Sequence, residues 1–536
     1  MAASPKNPPS IAVLRHVSLG ERRARLALRH RLASGSATDD AVEVVRSLTA
    51  LHATDPATVY LSVAARLREP ALGPLRDALL GDRSIVRHHA MRRTLWVMEP
   101  SVARAAHVSC TAALAVKEWR SMEKLLADNG VADPETWLVG AKRRAIDVVG
   151  ALGTVTARQL GATAPDLAIP LRLSVGKSYE GTQGAHTRLL QNLGFDGALV
   201  RTRSVGSWVS GEYEWAVADR WLRGGVVDAE LSVPEGAARL AESFLRSFGP
   251  VTSSDLQWWA GWSAGLARNA LADIGAVPVT TEIDDNGTLA CAWLHPGDLD
   301  VVDGAGPWAT ILPSLDPTIM GWKQRDWHVG RYGAFGDTVF DRNGNAGNSI
   351  WANGAVIGTW AHRKDASVVL EYFEHATKTV RSMLDTSIDR YRATVGATVV
   401  RPRYPAPRQA SLLAGDPGIT SHIGHLGIPD TPQVQYSGAT EEGVLGRCRG
   451  RRCRAGASMI DYFHGVNDCP GSLIAARSHR SGSARDGGER QYWCRNRPSP
   501  PRGRSRRGGP RRPEPGGGRT FGCGTCRMRC RHFGRC

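Results

Sequence analysis

The sequence predicts an α+β fold, in which repeated helical units precede a small antiparallel β-sheet or barrel and a disordered C-terminal tail. Three observations support this prediction. A nine-residue pattern occurs twice, each time after an amphipathic helix. Between residues 301 and 400, β-prone segments alternate with Asn-Gly turns. After residue 411 the composition changes abruptly, so the 536 residues combine two kinds of sequence.

The repeated pattern covers residues 152–160 and residues 248–256. In both copies Gly ends a helix, Val begins a short extended segment, and Thr precedes the next helix. Thr156 and Thr252 are suited to N-cap that helix, and Gln159 completes a capping box in the first of the two copies. The pattern therefore predicts two related units, each with a strand between its first and second helices.

Each copy continues with a third helix, near residues 186–193 and 263–274, and then with a hairpin. An earlier copy begins at Thr38-Asp39-Asp40 and includes the segment 92–98. Helix, strand, helix, helix and hairpin is the order of a winged helix-turn-helix. We predict a disordered N-terminus, three winged-helix units, a β-rich domain and a disordered tail, at residues 1–11, 12–130, 131–230, 231–300, 301–410 and 411–536.

In the β-rich domain, turns at Asn343-Gly344 and Asn353-Gly354 separate segments typical of strands. The predicted strands are residues 339–342, 348–352 and 356–360. A closing helix is predicted to begin at residues 368–373 and to continue through Ile388.

The tail carries most of the formal charge of +17, because it contains 22 Arg, no Lys and 9 acidic residues. Its Arg, Gly and Pro content leaves too little apolar surface to offset the entropy of ordering. Three accounts stay open. The tail is a basic nucleic-acid-binding segment, a product of out-of-frame translation, or a metal module at Cys523, Cys526, Cys530 and Cys536.

A winged helix inserts its third helix into the major groove and lays its wing along phosphates, so its polar residues there predict contacts with double-stranded DNA. The alternative is that these units only pack against their neighbours and that the same residues are ordinary solvated side chains. The predicted contact residues on wings and third helices are Arg92, Arg93, Arg188, Gln191, Asn192, Arg201, Arg203, Arg268 and Asn269.

A further predicted contact is the aromatic and basic segment that begins at Trp322. Trp322 is expected to stack on a base, while Lys323 and Arg325 bind phosphates. The alternative is a loop held in place by tryptophan packing and by an ion pair between Asp and Arg, with Asp316 and Asp326 orienting the loop.

Six segments of the chain carry a family resemblance: residues 48–56, 60–66, 91–95, 251–261, 312–326 and 340–345. With them, residues 12–410 resemble the AlkZ-type bacterial DNA glycosylases, which unhook interstrand crosslinks and remove bulky alkylated bases. The Leu-Pro-Ser-Leu-Asp-Pro segment that begins at Leu312 is the most specific of the six. The resemblance implies tandem winged helices bent around DNA, with a C-terminal β element contributing to the cleft.

The same resemblance implies a catalytic motif, Gln-x-Gln or Gln-x-Asp, that holds a water at the deoxyribose C1′. The corresponding residues here are His52-Ala53-Thr54, at the expected end of a helix. We predict that His52 and Thr54 hold this water, since histidine accepts protons and forms hydrogen bonds. Two alternatives stay open for His52: a partly buried structural histidine, or a residue that only contacts DNA.

Two functions follow from these predictions. The first is a monofunctional DNA glycosylase that hydrolyses N-glycosidic bonds, and the second is a non-catalytic DNA-binding regulator or lesion sensor. No cofactor or metal is expected, because the body lacks metal motifs and because His88 and His89 point to opposite faces of a strand. No membrane span or secretory signal is predicted, so we expect a cytoplasmic, nucleoid-associated monomer.

Overall fold

The computed structural model describes residues 15–178, 180–415 and 422–423 of the chain. Helices and small sheets, most of them antiparallel, alternate along it, which confirms the predicted α+β class. The described chain begins with a short strand and a helix, β1 (His16–Val17) and α1 (Leu19–Arg29). Within these ranges, no helix combines the length and the apolar character that crossing a membrane requires.

The first helical unit, residues 41–98, corresponds to the predicted early copy of the repeat. Its elements are α2 (Ala41–Ser47), β2 (Leu51–His52), α3 (Pro56–Ala64), α4 (Gly73–Leu80), β3 (Val86–His89) and β4 (Leu95–Met98). Strand β4 pairs antiparallel with both β2 and β3. Asp40 caps α2 by accepting the N–H of Val42 at 2.7 Å. The order of elements is the one predicted for a winged helix.

The second helical unit, residues 134–217, follows a connection made of α5 (Pro100–Ala106), a π-helical turn (His107–Thr111) and α6 (Ala112–Asp128). Its elements are α7 (Pro134–Leu152), α8 (Ala157–Thr163), β5 (Pro170–Leu173), β6 (Gly181–Gly184), α9 (Ala185–Phe195), β7 (Leu199–Ser204) and β8 (Tyr213–Val217). Val155 forms a single bridge with Trp215 of β8. The β5–β6 hairpin is an insertion that the repeat did not predict.

The third helical unit, residues 233–294, follows the short helix α10 (Ala218–Trp221). Its elements are α11 (Val233–Phe248), α12 (Ser253–Ala260), α13 (Ala264–Asp273), β9 (Val277–Glu282) and β10 (Leu289–Leu294). Val251 bridges Trp293 of β10, as Val155 bridges β8 in the second unit. Strand β1 adds to β9 in parallel, so the N-terminal segment covers the outer edge of this hairpin.

The predicted N-caps are present in both repeats. The Thr156 hydroxyl accepts the N–H of Gln159 at 3.1 Å, and the Gln159 side chain accepts the N–H of Thr156 at 2.8 Å. Thr252 and Asp255 form the same reciprocal pair, at 3.1 and 2.9 Å. Each box satisfies two amide N–H groups at the start of the second helix, so the turn before that helix is fixed locally.

The hairpins of the first and second units join into one sheet with the strand order β2-β4-β3-β7-β8. The junction is the antiparallel pair of Arg87 in β3 with Arg201 in β7. Residues directly opposite each other share a face of a sheet. Arg87 and Arg201 therefore lie side by side, although more than a hundred residues separate them in sequence.

The β-rich domain is a five-stranded antiparallel sheet with the order β11-β12-β13-β14-β15. Its elements are β11 (Ala309–Leu312), α14 (Pro317–Met320), α15 (Asp326–Val329), β12 (Ser349–Ala352), β13 (Ala355–His362), β14 (Val368–Tyr372), α16 (Lys378–Val395), α17 (Pro407–Ala414) and β15 (His422–Ile423). Asn353 and Gly354 both have positive φ, at 48° and 87°. This is the conformation that a tight Asn-Gly hairpin turn requires.

Three expectations for this domain need correction. Residues 368–372 form a strand, and the closing helix begins only at Lys378. Residues 339–342 form only isolated bridges at Phe340. Helix α17 crosses the predicted start of the tail at residue 411 and ends at Ala414. Residues 1–14, 416–421 and 424–536 lie outside the described ranges, which leaves most of both predicted disordered termini there.

A buried ion pair links the first unit to the β-rich domain. Arg66, just after α3, donates from Nη2 to Asp316 Oδ1 at 2.8 Å and from Nη1 to Asp316 Oδ2 at 2.9 Å. Both side chains are 0% exposed. Ser62 also donates to Asp316, which in turn caps α14 by accepting the N–H of Thr318. Asp316 therefore fixes the start of α14 against α3.

Candidate functional site

His52 lies in a strand, not at the end of a helix as the sequence analysis expected, because α2 has already ended at Ser47. It pairs with Trp96 of β4, which pairs with His88 of β3, so these three side chains share one face of the joint sheet. The ring centroids of His52 and Trp96 are 4.8 Å apart. His52 is 4% exposed, and its ring has no hydrogen-bond partner among the described residues.

The electrostatic environment of His52 keeps its imidazole neutral. Burial, and then the charge of Arg92, lower its pKa from 6.5 to about 3. Nδ1 is buried and unpartnered. The ring is therefore a weak base with a free hydrogen-bonding position.

Thr54 and Asp55 follow directly after β2. Thr54 is half-buried, and its carbonyl accepts from Nη1 of Arg403 at 3.5 Å. The Asp55 carboxylate accepts the backbone N–H groups of Ala57 and Arg403, at 3.1 and 2.8 Å. Burial raises the pKa of Asp55 despite these two bonds. Asp55 thus caps α3 and fixes the segment around Arg403.

Arg92 lies in the tight turn between β3 and β4. Its φ of 54° is in the left-handed region, which non-glycine residues enter at an energetic cost. The guanidinium carbon lies 4.0 Å from the ring centroid of Trp258 on α12. Burial lowers the pKa of Arg92 to about 10, and its Nε has no partner among the described residues. Arg92 thus bridges the first and third units beside His52.

Arg325 approaches the same indole from the β-rich domain. Its guanidinium carbon lies 4.8 Å from the ring centroid of Trp258. It also lies 4.4 Å and 5.2 Å from the ring centroids of Phe340 and Phe335. Burial, and then the charge of Arg92, lower its pKa to about 10. We call Arg92, Trp258, Arg325, Phe335 and Phe340 the Arg92–Arg325 cluster.

The charges of this cluster lack carboxylate partners. Neither Arg92 nor Arg325 forms an ion pair with a described residue, and Nη1 of Arg325 is buried without a partner. Asp255 forms no ion pair with Arg325, since its Oδ1 accepts the N–H groups of Lys323 and Gln324, both at 2.8 Å, but its charge opposes the lowering of the Arg325 pKa. A buried guanidinium without a directly paired counter-ion is costly, and the half-buried Arg92 is the member of the cluster that an oxyanion such as phosphate can reach.

A second basic group surrounds Tyr213 on the other face of the joint sheet. The guanidinium carbons of Arg87 and Arg201 lie 5.1 and 5.5 Å from the Tyr213 ring centroid. Burial lowers the pKa of Arg201 to about 10. Burial also raises the pKa of Tyr213, although Arg87, Arg201 and Arg403 oppose this shift. The Tyr213 hydroxyl has no hydrogen-bond partner in the described ranges.

The remaining predicted contact residues divide by exposure. Arg93 and Arg203 are exposed but paired with Glu118 and Glu214, at 2.7 and 3.2 Å. Arg188 and Gln191 on α9 are half-buried, whereas Arg268 and Asn269 on α13 and Lys323 are exposed.

Two predicted orientations need correction. Asn192 is 3% exposed and donates to the carbonyl of Glu118 at 3.2 Å, because α6 packs against α9 and covers that face. Trp322 is 1% exposed, with ring centroids 5.2 Å from Phe248 and 5.0 Å from Trp327. It is held in the core and has no face free for a base.

Comparison with known proteins identifies the family. The sequence model of a family described as DNA glycosylase AlkZ-like matches residues 45–394. This chain belongs to the AlkZ-like DNA glycosylase family. Among solved structures, Streptomyces sahachiroi DNA glycosylase AlkZ matches with a TM-score of 0.49 and 16% identity, over 70% of this chain and 96% of that chain. No curated protein matches the sequence.

This AlkZ-like chain brings three of its predicted site residues together. His52, Arg92 and Arg325 come from two different parts of the sequence and meet around Trp96 and Trp258. Thr54 lies closer to the second basic group, through Arg403. The described residues contain no group of three or more potential metal ligands. His88, which shares the face of His52, is hydrogen-bonded to His107, with 3.1 Å between Nε2 and Nδ1.

Sequence reasoning missed Trp258 and Phe335 as site residues. A signal for Trp258 was available in the adjacent pair Trp258-Trp259, because neighbouring positions on a helix cannot both face the core. Trp259 is 2% exposed, and Trp258 lies on the half-buried side. For Phe335 the only local signal was an aromatic residue within a glycine-rich loop.

Proposed function

We propose that this protein binds double-stranded DNA and hydrolyses the N-glycosidic bond of alkylated or crosslinked bases. The family membership supports a reaction of this class. The observation that carries the proposal is the Arg92–Arg325 cluster beside His52, where two guanidiniums lack carboxylate partners. Backbone phosphates are the anions that such a cluster would bind in DNA. We also propose that the protein is a monomer and that it associates with the nucleoid.

In the proposed reaction, a water molecule attacks the deoxyribose C1′ as the bond to the base breaks. A positively charged alkylated purine is a good leaving group, so the sugar becomes oxocarbenium-like before the water bonds. His52, with a pKa of about 3, contributes a hydrogen bond to the water and takes up no proton beforehand. Thr54 is left out of this proposal, because Arg403 binds its carbonyl on the side of the second basic group.

His52→Ala is expected to lower the rate of excision about tenfold, the worth of one hydrogen bond. The measurement is the release of 7-methylguanine from alkylated duplex DNA with excess protein. His52→Gln keeps a hydrogen-bonding side chain and should retain the wild-type rate within about threefold. The wild-type rate should stay flat from pH 8 to pH 6, whereas a histidine with an ordinary pKa of about 6.5 would lose about three-quarters of its neutral form. Unchanged release by His52→Ala would contradict the proposed role.

Arg92→Gln is expected to weaken binding to undamaged duplex DNA about tenfold, because one charged hydrogen bond to phosphate is lost. The slope of log affinity against log salt should also become shallower by about one unit. Both are measured by fluorescence anisotropy over a range of salt concentrations. Lys124→Gln is the control, since Lys124 is 75% exposed and paired with Asp128 on α6. If affinity and slope both match the wild type, Arg92 does not hold a phosphate.

A second candidate function is DNA binding without excision. It is favoured by the burial of His52 and by the absence of both glutamines of the family motif from His52-Ala53-Thr54. It predicts that the wild-type protein binds duplex DNA with an affinity that falls steeply with salt, and that it releases no 7-methylguanine. The excision assay and the anisotropy assay together separate the two functions.

A further inference from the structure

Phe335 is an exposed aromatic side chain on the loop between α15 and β12. It is 56% exposed, whereas the other phenylalanine of the cluster, Phe340, is 0% exposed. More than half of this phenyl ring faces solvent, so that part of the ring contributes no burial that would stabilise the fold. A single exposed apolar residue is common on proteins, and the argument therefore depends on what surrounds it.

The loop holds this ring in a defined place. The N–H of Gly336 donates to the carbonyls of Phe340 and Asp341, at 2.9 and 3.1 Å. The carboxylate of Asp341 accepts the N–H groups of Asn343 and Asn345, both at 2.8 Å. Asp341 is therefore used by the loop itself, and the turn that carries Phe335 is ordered before any partner binds.

Glycines allow the close approaches around the ring. A Cβ on Gly344 would lie 2.8 Å from the Phe335 ring, so only glycine leaves room there. Gly336 has a φ of 75°, which glycine adopts without strain. The Phe335 ring packs against Phe340, with 5.6 Å between ring centroids, and its exposed part projects from this support.

The surroundings of the exposed ring are basic. Arg325 lies 5.2 Å from its centroid, and Arg325 has an unpartnered Nη1. Lys323 and Arg342 are exposed nearby in the chain. Aromatic side chains stack on bases with little dependence on sequence, and apolar wedges enter base steps that are already weakened.

We propose that Phe335 inserts into the base stack at a damaged position, while the exposed Lys323 and Arg342 bind the adjacent phosphates. This inference rests on the proposed DNA binding, and it adds a lesion-sensing residue that lies outside His52-Ala53-Thr54. Phe335 is a positioning residue, because it occupies the space that a displaced base leaves and touches none of the reacting atoms.

The test compares two duplexes that differ only by a stable abasic-site analogue, tetrahydrofuran, with 2-aminopurine beside it. Phe335→Ala should bind the tetrahydrofuran duplex about tenfold more weakly than the wild type, since one aromatic stack is lost. Its affinity for the intact duplex should change less than about twofold. The wild type should alter 2-aminopurine fluorescence in the tetrahydrofuran duplex, and Phe335→Ala should not. Phe335→Trp should restore both signals.

Val116→Ala is the matched control, because Val116 is 51% exposed on α6, outside the predicted wings and third helices. Thermal unfolding of each variant checks that the fold is kept. If the wild type binds both duplexes and Phe335→Ala matches it in affinity and in fluorescence, the stacking role is overturned while the proposed DNA binding stands. If the wild type binds neither duplex, the proposed function fails and this inference fails with it.

Discussion

Asp316→Asn is expected to lower the free energy of unfolding by about 3–5 kcal/mol, the usual cost of removing one partner from a buried ion pair. Arg66 and Asp316 are both fully buried, so asparagine would leave a charged guanidinium without its counter-ion. Burial alone would raise the pKa of Asp316, but the charge of Arg66, together with the hydrogen bonds from Arg66, Ser62 and the Thr318 N–H, holds that pKa below its usual range. Asparagine is itself a good N-cap, so α14 keeps its cap, while the change removes the charge and the acceptor oxygen for Ser62 and for Nη1 of Arg66.

The loss is measured by urea unfolding of the purified protein, followed by circular dichroism. Asp285→Asn is the control, because Asp285 is 60% exposed and its pair with Arg23 lies near the surface. Exposed pairs contribute at most about 1 kcal/mol. The double variant Arg66→Met/Asp316→Leu, which removes both charges, should recover most of the loss. A loss of less than about 1 kcal/mol for Asp316→Asn would show that the buried pair does not form as described.

This pair also shows what the sequence indicated and what it did not. The segment that begins at Leu312 was singled out as the most specific family feature, and Asp316 was assigned to orienting a loop rather than to catalysis. Its partner was not predictable, because Arg66 precedes it by 250 positions. The pairing of Arg66 with Asp316 depends on how α3 packs against the β-rich domain. Local sequence patterns do not encode that packing.

Local signals predicted most of the helical architecture correctly. Capping boxes at Thr156 and Thr252 involve residues within one helical turn, and the hydrophobic period of a helix depends on its own sequence. The turn at Asn353-Gly354 was also predicted from adjacent residues alone. The prediction was wrong at residues 368–372, where a short and largely apolar segment fits either a buried strand or a helix.

Long-range packing determines which residues come together at the candidate site. Asn192 was expected to face outward on its helix, but α6 covers that face and accepts its hydrogen bond. Trp322 was expected to stack on DNA, yet it contacts Phe248 of the third unit inside the core. Conversely, Arg92 and Arg325 were predicted separately, and only the fold places both on Trp258. Residue type identified the basic side chains, and tertiary contacts determined which of them cluster.

Acidification is expected to destabilise the protein strongly below about pH 6.5, because several histidines are buried in the neutral form. Burial lowers the pKa of His30 and His52 to about 3 and that of His107 to about 4. Burial also lowers the pKa values of three further histidines well below 6.5, namely His88, His89 and His328. The folded state therefore binds fewer protons than the unfolded state throughout this range.

The sign and size of the effect follow from proton linkage. Above about pH 7.5 neither state binds protons appreciably at these rings, and stability is unaffected. As the pH falls from 6.5 towards the folded pKa values, each histidine removes about 1.4 kcal/mol per pH unit. At pH 5 the three histidines with pKa values of about 3 to 4 would together remove about 6 kcal/mol, within the 5–15 kcal/mol that holds a typical protein folded.

The measurement is the free energy of unfolding in urea at pH 7.5, 6.5 and 5.5, with a full loss of structure expected by about pH 5. His30→Gln gives an internal check. The imidazole of His30 bonds the Thr318 hydroxyl at 2.9 Å and the Ser247 carbonyl at 3.2 Å, and glutamine offers similar polar groups without titrating. This variant should lower the pH slope between 6.5 and 5.5 by about one proton. A stability that stays constant from pH 7.5 to pH 5.5 would contradict the neutral burial of these histidines, including the neutral form of His52 on which the proposed reaction depends.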